Sequence, residues 1–228
     1  MVRDDASIRF ALIGDVVGSR ELEDRAATQR ILQASLAALN RPGNEGGCRE
    51  AMAAALKLTA GDEVQVLLVD PAPAVDIIVR IGDDLHPVAI AWGLGAGTLS
   101  TDEDEDVAVL DGSCFHRARA AVEAAGRERA WVHAAGFAPP HQEALSGLFR
   151  LMGAIRSRWK PAQMRYIRGA RDRLQQDVAE MHGVDESTVS KALQAARFRD
   201  VEAGETAARA LLAWMKDRPA QDGLEAEV

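Results

Sequence analysis

Over the first 138 residues, short apolar runs alternate with stretches of helical period, and beyond Ala138-Pro139-Pro140 the pattern turns wholly helical. Residues 7–13 (SIRFALI) read as a strand ending at a Gly14-Asp15 turn. Leu32, Leu36 and Leu39 recur at helical spacing within 21–40, before the breaker Asn40-Arg41-Pro42-Gly43 and a mobile loop over 42–47. Strands over 53–59 and 64–69 form a hairpin turning through 60–63. A helix over 71–85 then points Val75, Ile78 and Ile81 inward, ahead of a strand over 88–97. A helix over 112–125 and a strand over 130–134 complete an α/β domain. The remaining helices are expected over 141–157, 161–169, 172–182, 185–198 and 202–217, with a polar, frayed tail from 218.

The window QQDVAEMHGVDESTVSKALQAAR, 175–197, has the spacing of a helix-turn-helix DNA reader. Ala179 falls where two helices approach closely, and Gly183 four residues later sits where the chain turns through a backbone angle that glycine adopts cheaply. Val184, Val189 and Leu193 supply the apolar face, and Asp185 is placed to cap the second helix through its carboxylate. Glu186, Ser187, Thr188, Ser190, Lys191, Gln194 and Arg197 remain for the outer face, the set that would meet bases and phosphates in a major groove. A helical hairpin that binds no DNA has the same packing needs, so charge decides between them. From 150 to 200 the chain carries 11 Lys/Arg against 6 Asp/Glu, a local +5 where the whole chain is −8 and the remainder therefore −13. A basic module on an acidic protein is an electrostatic footprint for DNA.

Composition narrows the rest. The chain of 228 residues is 47% hydrophobic but only 4% aromatic, so its core relies on Ala, Leu, Val and Ile. Cys48 and Cys114 have no metal-ligand spacing, and the five histidines are scattered, which excludes a zinc site. With no secretory signal or membrane-spanning apolar run, the expected location is cytoplasmic and free of membrane. Five consecutive acids, 102–106, read as a solvated loop.

Three pieces of the first domain stand together: ALIGDVVGSREL, TAGDEVQVLL, and GLGAG followed by DGSCFHRARA. In this order and spacing they resemble the SatD family, whose members open with GD-x-x-GSR, carry a GDEF-like hairpin and end in a helix-turn-helix. That resemblance spans nearly the whole chain and implies a regulatory, DNA-associated function. More distantly, the same pieces are similar to class III nucleotide cyclase and GGDEF cores, where a strand-end aspartate and a hairpin acid hold two Mg²⁺ ions against a nucleoside triphosphate. Asp15 and Asp62 match those acids. Gly14 and Gly18 would let backbone amides approach phosphates, and His116 and Arg119 stand near where the cyclases act on the nucleotide. The departures concern catalysis: His116 replaces the family's Asn, Ala120 replaces its Arg with Arg119 one position off, and Lys57 is displaced by one residue to the opposite strand face.

The expectation is therefore an α/β protein: a ferredoxin-like, cyclase-type sensor and dimerisation domain over 1–138, an all-α helix-turn-helix domain over 139–217, and a flexible tail over 218–228. It would act as a homodimeric transcriptional regulator, binding DNA and a nucleotide-type ligand through Mg²⁺ on Asp15 and Asp62, with no catalytic residue. The stripe Ala208, Leu211, Leu212 and Met215, with Trp214 beside it, offers a second dimer surface or packs back onto its own helical module. The rival expectation is a nucleotide-processing enzyme with an accessory DNA-binding module.

Overall fold

The computed structural model describes residues 7–43, 47–59 and 62–218. Strand β1 (Arg9–Val16) runs through the turn expected at Gly14-Asp15, because buried Val16 resumes the inward alternation of Phe10 and Leu12. Around it form α1 (Arg25–Leu39), β2 (Met52–Leu58), β3 (Glu63–Leu68), α2 (Ala74–Leu85) and β4 (Ile90–Gly97), followed by α3 (Ser113–Glu128) and β5 (Val132–Ala135). Their order in the sheet is β2-β3-β1-β4-β5. β1 is antiparallel to both neighbours, while β5 lies parallel to β4 at the end of the α3 crossover. Residues 44–46 of the expected loop, 60–61 of the expected hairpin turn and the tail from 219 lie outside the described residues.

The two sheet faces are covered differently. Phe10, Leu12, Val66, Trp92 and Leu94 share a core with α1 and α2, where Leu32, Leu36, Leu39, Val75, Ile78 and Ile81 are buried at the expected spacing. On the other face Ala11, Ile13, Leu67 and Ala91 meet Cys114, Phe115, Ala118 and Val122 of α3. Helix α3 lies directly on β4, since a β-carbon at Gly93 or Gly95 would collide with the carbonyls of Ala118 and Cys114. The GLGAG run is what permits that contact. The acidic residues 102–105 are exposed as expected, Glu103 reaching Arg9, while half-buried Asp106 bonds Lys57 and caps a 3-10 turn.

Five helices follow: α4 (Pro139–Arg156), α5 (Pro161–Ala170), α6 (Gln175–His182), α7 (Glu186–Ala195) and α8 (Phe198–Met215). Trp159, Ile167, Val178, Val189, Leu193, Phe198 and Val201 build a second core among α5, α6, α7 and the start of α8. The division expected at 138 does not divide the cores. Leu145, Phe149 and Met152 of α4, and Ala208, Leu212 and Met215 of α8, recur at i, i+4 and i+7 and join the sheet's core instead. The α8 stripe is thus covered by its own chain, while Trp214, 44% exposed, packs against the tilted ring of His141 with Arg218 over its own ring. No helix among the described residues is long and apolar enough to cross a membrane.

Between the two cores lies a buried charge cluster. Arg156 of α4 donates to Asp83 of α2 at 2.7 Å, and Arg171, just past α5, donates to Asp83 at 2.9 Å and to Glu205 of α8 at 2.6 Å. The carboxylates are 5% and 2% exposed, so both need these cations. The Arg156 guanidinium lies over the rings of Trp131 and Trp159, at 4.3 and 4.6 Å from their centres. Arg168 adds bonds of 2.8 and 2.6 Å to the Asp83 carbonyl near the end of α2, where backbone acceptors lack helical partners. Burial pushes the Glu205 carboxyl up and the Arg156 guanidinium down from their ordinary ranges; for Arg171 the two carboxylates outweigh burial and raise it.

Candidate functional site

Gly183 closes α6 at φ 61° and ψ 40°, a left-handed conformation, with nothing within 4 Å of where a β-carbon would stand. The backbone angle, not crowding, requires glycine there. Ala179, Val189 and Leu193 are buried, and Val184 packs against the same core. This leaves Glu186, Ser187, Thr188, Ser190, Lys191 and Gln194 exposed on α7. Two details differ from expectation. Asp185 holds the N-cap position without a side-chain bond, the Thr188 amide reaching its main-chain carbonyl at 2.9 Å. Arg197 lies beyond α7, not on it: the Trp159 indole N–H takes the Ala196 carbonyl at 2.8 Å, and Arg197 turns left-handed at φ 53° so that Phe198 enters the core. Its guanidinium bonds Asp200 at 2.8 Å.

Beside α7 opens a cleft of about 590 Å³, walled by Arg173, Ser190, Gln194, Arg197 and Arg199. The basic surplus of 150–200 is partly spent inside, since Arg156 and Arg171 neutralise Asp83 and Glu205 and Arg168 bonds the end of α2. Exposed basic side chains include Arg158, Lys160, Arg173, Lys191 and Arg199.

A second cluster gathers at one end of the sheet, on the α3 face. Asp15 stands opposite Glu63 in the β1–β3 register. Partial burial raises the Asp15 carboxyl above the ordinary range, the negative charges of Asp62 and Glu63 raise it further, and Arg119 opposes them. Glu63 accepts bonds from Arg119, Gln65 and Thr59, which outweigh its own burial and hold it below the ordinary range. Lys57 corrects an expectation. Register shifts in β2 place it opposite Gln65, and hence on the same face as Asp15 and Glu63, bonded to both Asp106 oxygens at 2.8 Å.

The remaining predicted positions separate from this cluster. His116 is 74% exposed and its partner is Asp111, at 3.3 Å. Gly14 is buried, and a β-carbon there would stand 2.5 Å from the Trp92 ring, so its small size serves packing and not approach to a ligand. Gly18 is exposed and left-handed at φ 66°. Among the described residues no group of three or more His, Cys, Asp or Glu is arranged to hold a metal ion.

With this geometry in place, the SatD family model matches residues 9–212. The chain belongs to the SatD family. Among solved structures it is similar to a regulator of polyketide synthase expression from Bifidobacterium adolescentis, at 13% identity and a TM-score of 0.26, covering 93% of this chain and 82% of that one. A likeness of that size carries no argument about fold or function. No curated protein matches the sequence.

In this SatD-family chain, sequence reasoning missed Glu63, the buried ion cluster and the free arginines of the cleft. The ion cluster left a signal. Asp83 follows buried Val79 by four residues, and Glu205 sits within the stripe Val201, Ala208, Leu212, so each acid interrupts an apolar helix face.

Proposed function

We propose that this SatD-family protein is a DNA-binding transcriptional regulator in which α5 to α7 form a helix-turn-helix unit and α7 is the recognition helix. The carrying observation is the left-handed Gly183 between α6 and α7, with Ala179, Val189 and Leu193 inside and Ser187, Ser190, Lys191 and Gln194 outside. Short polar side chains and a lysine on an exposed helix suit base edges and flanking phosphates. The test is a protection footprint on DNA upstream of the protein's own gene. The triple substitution Ser187→Ala, Ser190→Ala, Lys191→Ala should abolish the footprint while leaving the circular dichroism spectrum unchanged; an unaltered footprint would dismiss α7 as the reader.

The α/β part, in this reading, is a ferredoxin-like, cyclase-type domain that senses a ligand and pairs two chains in the cytoplasm. The β1-α1-β2-β3-α2-β4 order supports it. Asp15 and Asp62 offer two carboxylates, and the partial burial and neighbouring negative charge that raise the Asp15 carboxyl suit a cation such as Mg²⁺. When bound, the ion would neutralise phosphate charge; Asp15 and Asp62 would hold it, and Arg119 would stand at its edge. Calorimetry with ATP and GTP should give Mg²⁺-dependent heat that Asp15→Ala removes.

One observation favours a second reading, that this domain processes a nucleotide: Lys57 and Arg119 both stand on the Asp15 face. Against it, both are already engaged, Lys57 with Asp106 and Arg119 with Glu63. Pyrophosphate release from a nucleoside triphosphate would promote it.

A further inference from the structure

We infer that the cleft beside α7 seats the DNA backbone, with Arg173 and Arg199 as phosphate ligands at its rim. This rests on the proposal that α7 enters the major groove, and it assigns residues outside the recognition helix. The cleft of about 590 Å³ runs between the start of α6, one side of α7 and the start of α8. Its α7 wall is Ser190, Leu193 and Gln194, with polar Ser190 and Gln194 four residues apart on one side of the helix, next to the outward Ser187 and Lys191. A strand bordering the groove that α7 occupies would therefore run along this cleft.

The charges of the cleft fit that occupant. Arg173 and Arg199 are exposed, line the cleft, and make no hydrogen bond or ion pair with any described residue. The arginines of the charge cluster contrast with them, for Arg156 and Arg171 are bound to buried carboxylates. Arg197 is the third cation of the cleft, but Asp200 holds it at 2.8 Å. Asp200 and Glu202 also line the wall, so two of three arginines remain available to an anion while the acids oppose indiscriminate binding. A guanidinium fork matches two phosphate oxygens at once, and Ser190 and Gln194 supply neutral donors beside it. No sequence information passes through such contacts, so both arginines set affinity and register, not operator choice.

The test is a salt titration of binding to a mixed-sequence duplex and to the upstream fragment, with wild type, the Arg173→Ala/Arg199→Ala double variant and the Arg173→Lys/Arg199→Lys control. Each lost phosphate contact removes about 0.9 from the slope of log affinity against log salt, so the alanine pair should flatten it by about 1.8. The alanine pair should weaken both duplexes by the same factor, and the lysine pair should retain most of the slope. Matching circular dichroism and melting curves guard against misfolding. An unchanged slope in the alanine pair, with wild-type binding intact, would overturn the phosphate assignment alone. A larger loss on the upstream fragment than on the mixed duplex would overturn it too, by showing base readout. Failure of the wild type to bind either duplex would overturn both this inference and the DNA-reading proposal.

Discussion

At the scale of single residues, backbone angle and buried polarity matter most. Gly183→Ala places a β-carbon in a left-handed turn and should cost about 1 kcal/mol, read as a lowered urea midpoint with unchanged slope. Gly95→Ala acts through crowding, because the Cys114 carbonyl of α3 occupies the space a β-carbon needs; the cost should be about 1–3 kcal/mol. His86 supplies a pH dependence. Its Nε2 lies 3.1 Å from the Trp159 carbonyl, and its buried Nδ1 has no partner among the described residues. Burial lowers its basicity, Arg168 and Arg156 lower it further, and the Trp159 carbonyl and Asp83 only partly oppose them. The folded protein therefore prefers neutral imidazole, so this contribution is whole above the ordinary histidine pKa of about 6.5 and is lost as pH falls below it. Melting temperatures between pH 7 and 5 should fall more steeply for wild type than for His86→Gln.

At the scale of elements, α8 is the shared strut. Its first turns belong to the small helical core, its last turns to the sheet's core, and Glu205 lies between them against Arg171. Removing one partner of a buried pair strands the other, so Glu205→Ala should cost about 3 kcal/mol, far more than an exposed pair such as Arg197–Asp200. Chemical denaturation of Glu205→Ala beside Asp200→Ala checks the contrast. A loss for Glu205→Ala no greater than for Asp200→Ala would mean that the cluster is not what joins the cores.

For the whole molecule, two cores spanned by one helix imply a single cooperative unfolding event. Far-ultraviolet circular dichroism and tryptophan fluorescence, to which Trp92 of the sheet's core and Trp159 of the small core both contribute, should trace one transition. Separate midpoints would show that the helical unit melts independently. Pairing is the other question at this scale. With Ala208, Leu212 and Met215 already covered by the chain's own sheet and helices, a dimer has to use another surface. Light scattering should give twice the 24.5 kDa chain mass if the regulator pairs as proposed, and a mass at the single-chain value would remove the dimer.

Whatever depends on short-range periodicity was legible along the chain before folding. The helices of 139–217, the strands around the GDEF-like hairpin and the left-handed Gly183 between two helices all follow from spacing of apolar residues and from a glycine's backbone freedom, which are local properties. The family resemblance rested on the same local strings. Tertiary structure alone decided which charges face solvent and which side of a strand a residue occupies. Arg156 and Arg171 look like basic surface until α2 and α8 bring buried carboxylates to them, whereas Arg173 and Arg199, a few positions away, stay free. Counting Lys57 one residue off the family's lysine puts it on the wrong face, whereas pairing with β3 sets it opposite Gln65 on the Asp15 face. Helices α4 and α8 likewise show their apolar stripes in sequence, but only their packing on each other and on the core shared by the sheet and α2 determines where those stripes are buried. Periodicity reports that a face must be covered. The partner that covers it is a long-range property.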